Sequence, residues 1–256
     1  MNADWRARFN LAADAARQAG DLAHTYFDGS FEVEWKTDQS PVTVADRRAE
    51  ELIRALVAKH FPADGFLGEE FGDQPGESGY RWVVDPVDGT KSFVRGIPLW
   101  GTLVGLEYHG EPIAGVCYAP GLGQLWRALR GDGAYRNDRR IRVSDVAELS
   151  GSLLCYSSVN WFRVGGRETA YLELAARTDR QRGYGDWYGF ALVAQGSAEV
   201  MIDAGLQRWD AAAPMALVVE AGGQFTDWKG RPTVDAPDVL ASNGKVHAET
   251  LQILNG

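Results

Sequence analysis

The chain has 256 residues, enough for one large domain or two tightly joined lobes around a sizeable core. Its composition, 45% apolar and 24% charged, is that of a soluble globular protein, and no segment approaches the ~20 apolar residues that span a bilayer. A formal net charge of −9 gives no electrostatic support to a nucleic-acid or membrane-surface role, and it would repel an anionic substrate unless cations intervened. Cys117 and Cys155 form no CxxC pair and no disulfide framework, so a reducing compartment, the cytoplasm, is expected. The N-terminus carries charge from the start and lacks the apolar stretch of a signal peptide. His24, His60, His109 and His247 are scattered, without the spacing of a zinc site.

Trp5, Phe9, Ala12, Ala16, Ala19, Ala23 and Phe27 recur at helical spacing, so the chain opens with an amphipathic helix. Residues 31–35 alternate like a strand, and K-T-D-Q-S-P-V-T-V-A-D reads as a loop. A second helix is expected over about 44–59, capped by Thr43. The run R-W-V-V is a strand, followed by strands at about 102–108 and 113–118 that turn at His109-Gly110, and a third at 124–129. Residues 152–157 read as a buried strand, 167–177 and 187–195 as helices, and 198–203 as a strand. W-D-A-A-A-P-M-A-L-V-V-E-A-G-G reads as a helix ending at Gly222-Gly223, with Pro214 tolerated in or near its first turn. Hairpins mixed with helices, and no repeat or linker, predict an α+β layered fold with mixed sheets in a single unit over 1–256, two closely packed lobes being the variant.

The stretch D-P-V-D-G-T at 85–90 crowds two acids into one turn. Proline fixes its own backbone and biases Asp85 toward an extended one, so both carboxylates can be aimed at one point. Two like charges about 4 Å apart, at an effective dielectric of about 20, repel by about 4 kcal/mol. A shared proton, an arginine or a metal ion must offset that, and magnesium prefers such hard oxygen ligands. An Asx turn is the plainer alternative, since Asp, Pro and Gly are ordinary turn residues. Elsewhere, Gly68-Glu69-Glu70 precedes the strand, Asp210 stands at a helix start where a simple N-cap would account for it, and Asp46 reads as a first-turn acid.

Together G-E-E at 68–70, D-P-V-D-G-T at 85–90 and W-D-A-A-A at 209–213 resemble the three signatures of the inositol monophosphatase family, in order and spacing. A-L-V-A-Q-G-S-A-E-V at 191–200 and E-A-G-G at 220–223 fit it too, and the resemblance covers nearly the whole chain. It implies a layered α/β/α/β/α sandwich of the inositol monophosphatase and fructose-1,6-bisphosphatase type and a magnesium-dependent phosphomonoesterase. By motif matching, Glu69, Asp85 and the backbone carbonyl of Val87 would hold one ion, and Asp85, Asp88 and Asp210 a second, with a third, weaker ion nearer Glu69. That makes two or three magnesium ions per subunit, with manganese an acceptable substitute. Thr90, Asp46 and Glu69 form the implied catalytic set, Thr90 orienting the attacking water and itself fixed by Asp46. The N–H groups of Gly89 and Thr90 would donate to phosphate oxygens. Lys36 resembles a mobile-loop lysine near the third ion, with a solvated surface lysine as the alternative. The resemblance also implies a homodimer acting on a small phosphorylated metabolite.

After D-G-T this chain departs from the inositol type. D-G-T-K-S-F followed by G-x-P-x-x-G-T-L, and R-G-Y-G-D-W-Y-G-F at 182–190, resemble the histidinol-phosphatase branch. Histidinol phosphate carries an ammonium and an imidazole. Asp186 or Asp203 would pair with the ammonium, and Trp187 or Tyr188 would face the ring, unless both aromatics simply pack in the core. The substrate-facing set implied is therefore Asp88, Gly89, Thr90, Asp186, Asp203 and Asp210. Lys91 either contacts phosphate or stays in solvent. The alternatives are an inositol-1-phosphate or broader sugar-phosphate phosphatase and, in another class, a catalytically silent metal-dependent binding protein.

Overall fold

Small side chains set the first layer. Ala12, Ala16, Ala19 and Ala23 share one side of α1 (Ala3–Phe27) and are all buried, which lets the helix lie close to its neighbours. The computed structural model describes residues 2–27, 29, 33–35 and 41–256, so Lys36 and the rest of residues 36–40, in the loop expected over 36–46, fall outside the described residues. The remainder of that stretch is a strand and a helix start rather than a loop, because Pro41–Thr43 pairs with Val33–Trp35 and Thr43 caps the helix. β1 (Val33–Trp35) pairs antiparallel with β2 (Pro41–Thr43), which feeds directly into α2 (Val44–His60). Helices α1 and α2 pack side by side and cover one face of a large sheet.

That sheet has eight strands: β3 (Gly65–Gly68), β4 (Gly72–Gln74), β5 (Tyr80–Asp88), β6 (Gly101–Tyr108), β7 (Glu111–Ala119), β8 (Gln124–Leu129), β9 (Gly133–Arg136) and β10 (Arg139–Ile141). Their order is β10-β9-β8-β7-β6-β5-β3-β4, antiparallel except where β3 runs parallel to β5. The short helix α3 (Thr90–Phe93) leaves the end of β5. Central strands are apolar on both sides. Leu103 and Val104 on β6 point into different cores, as do Cys117 and Val116 on β7. His109 and Gly110, both at positive φ, make the β6–β7 turn expected from the sequence.

A second, five-stranded sheet has the order β12-β11-β13-β15-β14, from β11 (Leu153–Tyr156), β12 (Arg180–Arg182), β13 (Val200–Ala204), β14 (Gln224–Thr226) and β15 (Asp238–Ser242). Between the sheets lie α6 (Asp186–Ala194) and α7 (Arg208–Glu220), packed on each other and enclosing a core that includes Trp126, Trp187, Phe190, Leu217 and Phe225. Outside the second sheet α4 (Val159–Val164), α5 (Glu168–Arg177) and α8 (His247–Asn255) cover a third core built on Leu154, Phe162, Ile202 and Leu254. The result is the five-layer α/β/α/β/α sandwich expected of the motifs.

One contact fixes the height of α7 above the large sheet. Gly105 on β6 stands opposite Gly115 on β7, and Ala212 and Ala213 rest on this bare patch. A Cβ on Gly115 would lie 2.2 Å from the Ala213 carbonyl oxygen, and one on Gly105 2.9 Å from the Ala212 methyl. Pro214 corrects an expectation: α7 begins at Arg208, so the proline sits in the second turn rather than the first, and its ring denies the Asp210 carbonyl a helical partner. Gly115→Ala is expected to lift the start of α7 and destabilise the fold by about 1–3 kcal/mol, a fall in Tm of about 2–4 °C per kcal/mol in a chain of this size. Gly105→Ala meets the Ala212 methyl at 2.9 Å and the Ala213 nitrogen at 3.2 Å, a milder approach than at Gly115, and is expected to do less; thermal melts of both variants check the order.

Candidate active site

Every acid singled out in the sequence lies at the end of an element, and the ends converge. Asp85 and Asp88 close β5, Glu69 follows β3, Asp46 is in the first turn of α2, Asp186 opens α6, Asp203 is near the end of β13, and Asp210 is in the first turn of α7. Strand β5 is irregular here. Asp85 pairs with Leu103 and Asp88 with Gly101, so three steps on β5 face two on β6, and the Thr102 hydroxyl donates to the Pro86 carbonyl at 2.8 Å. This bulge turns both aspartates to one side. A carboxylate oxygen from each of Asp85, Asp88 and Asp210 then lies within 4.8 Å of the other two.

Each carboxylate is also tied to backbone. Asp85 Oδ1 accepts the Val87 N–H at 3.0 Å, so the Asx turn is present alongside the clustering of acids. Asp88 Oδ2 accepts the Trp187 N–H at 2.9 Å, pinning the end of β5 to the start of α6. Asp210 is the third residue of α7 rather than its N-cap; it reaches back to the Gln207 N–H at 2.7 Å. Asp46 behaves the same way on α2, accepting from the Thr43 N–H at 2.8 Å and its hydroxyl at 2.6 Å. One oxygen of each group is thereby fixed.

Thr90 stands between two acceptors. Its hydroxyl is 3.1 Å from the Val87 carbonyl and 3.5 Å from Asp46 Oδ1, and one proton can serve only one of them at a time. Gly89 takes φ 90°, and a Cβ there would meet the Leu99 carbonyl at 3.0 Å and Asp186 Oδ2 at 3.3 Å, so glycine alone gives the bend and the clearance. The first N–H groups of α3 have no partner within the helix.

Beside this cluster opens a cavity of about 520 Å³ whose lining includes Asp88, Asp186, Asp203 and Asp210. Asp203 is buried; its Oδ1 takes a short hydrogen bond from the Ser157 hydroxyl and another from the Ala204 N–H at 2.8 Å. Asp186 sits at φ 53°, and this left-handed turn sends Trp187 inward. Trp187 is fully buried against Trp126, and Tyr188 packs on the same core, so neither lines the cavity. The aromatics that do are Trp161 on α4 and Phe190 on α6; Lys91 lines it too, and Ser157 and Arg95 are further polar lining that the motifs did not reveal. Lys91 is exposed at the rim, and its charge opposes the upward shift of Asp186.

Burial, then mutual repulsion, dominates the electrostatics. Burial drives Asp85 well above the usual carboxylate range, with Glu69, Asp88 and Asp210 adding to it. Burial does the same to Asp88, aided by Asp186 and Asp210. Asp210 and Asp203 are each pushed up to about 7 and Asp46 to about 6, in every case chiefly by burial. Among the described residues, no lysine or arginine acts appreciably on Asp85, Asp88 or Asp210. Buried oxygen donors that converge without a protein cation fit a hard divalent ion.

These acids hold protons more tightly folded than unfolded, so their effect on stability is favourable at low pH and is lost as pH rises through about 7. His247 works the other way, its pKa lowered by burial to about 4, but only below pH 6.5. In EDTA, the Tm is therefore expected to fall by several degrees between pH 6.5 and pH 8.5. Saturating magnesium should reduce that fall, leaving only the share of Asp203, which is not among the expected ligands. Scanning calorimetry with and without the ion checks it.

Comparison with known proteins gives a consistent picture. The family model described as "Inositol monophosphatase family" matches residues 4–255. A protein named histidinol-phosphatase from Chlorobaculum parvum is 41% identical, covering 91% of each chain. An inositol-1-monophosphatase from Mesorhizobium japonicum is 35% identical, covering 96% of this chain and 95% of its own. The crystal structure of the extragenic suppressor protein SuhB from Bartonella henselae superposes with a TM-score of 0.92 at 32% identity, over 97% of this chain and 98% of that one. Members of the family are metal-dependent phosphatases of small phosphorylated metabolites. The fold, the acidic cluster and these likenesses agree that the chain belongs to the inositol monophosphatase family and is a phosphoric monoester hydrolase.

Proposed function

We propose that the chain hydrolyses L-histidinol phosphate to L-histidinol and phosphate, a step of histidine biosynthesis, with magnesium as its cofactor. The observation that carries this reading is the second pair of acids. Asp186 and Asp203 line the same cavity as Asp88 and Asp210, in addition to the acids of the three-carboxylate cluster, and there they would meet the ammonium of a substrate whose phosphate lies against that cluster. A phosphatase for a neutral polyol needs no such second pair of acids. Trp161, on that cavity, offers an aromatic face to the imidazole.

Asp85, Asp88 and Asp210, with Glu69 and the Val87 carbonyl, would hold two or three magnesium or manganese ions. When bound, the ions supply Lewis acidity toward the phosphate and a water of lowered pKa. The residues of the chain do the rest. Thr90 Oγ1 orients the attacking water and takes a proton from it while passing its own to Asp46 Oδ1, whose pKa near 6 suits a proton acceptor close to neutrality. The Gly89 and Thr90 N–H groups donate to phosphate oxygens. The water oxygen bonds to phosphorus, the ester P–O bond breaks, and the departing alkoxide takes a proton from solvent. We further propose that the protein is a cytoplasmic homodimer and that residues 1–256 fold as one domain; among the described residues no helix is long and apolar enough to cross a membrane.

The second reading, an inositol-1-phosphate or broad sugar-phosphate phosphatase, draws on the hydrogen-bonding of Asp203. A carboxylate already paired with the Ser157 hydroxyl could equally accept from a sugar hydroxyl. Measuring kcat/KM with magnesium on histidinol phosphate, inositol 1-phosphate and fructose 1,6-bisphosphate separates the two. Histidinol phosphate is expected to lead by about 100-fold, the worth of roughly 2–3 kcal/mol of charge-assisted recognition. A clear lead for inositol phosphate would overturn the assignment. Asp203→Asn is expected to lower kcat/KM on histidinol phosphate by about 10–100-fold, while a small uncharged ester such as glycerol 2-phosphate loses less than about threefold.

A further inference from the structure

A buried acid outside the recognised motifs shapes the loop that carries Glu69. Glu50 lies on α2, one turn after Asp46, and is fully buried. Its carboxylate does not face the cluster of Asp85, Asp88 and Asp210. It turns instead to the short link between β3 and β4, where Oε2 accepts the Glu70 N–H at 2.7 Å and Oε1 the Phe71 N–H at 3.2 Å. On the other side of Glu69, its own N–H donates to the Val84 carbonyl at 3.2 Å. The backbone of Glu69 is thus gripped before its side chain by β5 and after it by α2.

Arg54 completes the bracket. Its Nε donates to Glu50 Oε1 at 2.9 Å and another guanidinium nitrogen to the Gly72 carbonyl at 2.5 Å, while the guanidinium lies 4.2 Å from the centre of the Phe66 ring. The arginine neutralises Glu50 and ties the far end of the link to the same helix. This geometry also accounts for the glycine of G-E-E. A Cβ on Gly68 would sit 2.0 Å from Glu50 Oε1, so position 68 must be bare for the carboxylate to reach the two N–H groups. Since α2 carries both Asp46 and Glu50, one rigid helix sets the Thr90 partner and the Glu69 loop together.

We propose that Glu50 is a positioning residue for Glu69 and, through it, sets the affinity of the site for divalent ions. This rests on the reading that Glu69 is a metal ligand. The groups that orient a ligand typically change metal affinity by about 10–100-fold when altered. Glu50→Gln keeps the shape but replaces an anionic acceptor with an amide whose NH2 end cannot accept the Glu70 or Phe71 N–H.

The test uses the full-length, metal-free protein. Mn2+ binding is followed by electron paramagnetic resonance, alongside the magnesium concentration for half-maximal hydrolysis and the substrate KM at saturating metal. For Glu50→Gln we expect Mn2+ affinity about tenfold or more weaker, a matching rise in the magnesium requirement, and a KM unchanged within about twofold. Gly68→Ala approaches the same contact from the other side, by pushing the Glu50 carboxylate away with a methyl group, and is expected to act in the same direction; it keeps the proposal open to refutation if Glu50→Gln does not fold. Glu69→Gln separates the two layers. Should it weaken Mn2+ binding while Glu50→Gln and Gly68→Ala leave it unchanged, Glu50 has no positioning role and the reading of Glu69 survives. Should Glu69→Gln itself leave Mn2+ binding intact, both fall.

Discussion

Carboxylates that would repel one another are held together here with no lysine or arginine of the described residues to offset them. Asp85, Asp88 and Asp210 bring oxygens within 4.8 Å in a buried place, and their protons are held far more tightly than on free aspartate. Such an arrangement is unfavourable in itself. The fold sustains it because each acid is anchored by a backbone N–H and because α2 and α7 begin beside it, with the positive ends of their dipoles turned inward. On the proposed function, a divalent ion would convert this stored repulsion into binding energy and would let a chain of net charge −9 accept a phosphate ester.

The scaffold contributes close approach. Bare glycines at 105 and 115 let the alanines of W-D-A-A-A settle on the large sheet, and that depth brings Asp210 to Asp85. The bulge at Pro86-Val87 turns two aspartates of one strand to the same side, where regular alternation would part them. The Asp88 link to the Trp187 N–H joins the large sheet to α6 and so places Asp186 beside Gly89. Small residues and turns, more than large side chains, control the geometry of this site.

Much of this was legible in the sequence. Strand 124–129 has the expected limits, α2 starts after Thr43, and β6 and β7 meet at His109-Gly110, because strong periodicity or turn chemistry marks each. The five-layer sandwich followed from the motifs rather than from periodicity. The short strands β3, β4, β9, β10 and β12, and the helix α8, carry too few residues for a pattern to emerge, and tertiary pairing defines them. The acids could be picked out by motif, but their partners could not. Ser157 and Trp161 reach the cavity through the path of β11 and α4, and Glu50 is one more acid in an ordinary helical run until Gly68 is seen against it. Trp187 looked equally fit for core or cavity, and only the left-handed turn at Asp186 decides for the core.

The central claim is that raised-pKa acids exchange protons for metal. Calorimetric titration of the metal-free protein with magnesium at pH 7, repeated in two buffers of different ionisation enthalpy, reads both events at once. The account predicts saturable binding accompanied by proton release, with both diminished in Asp85→Asn. Binding without proton release, or no saturable binding, would contradict it.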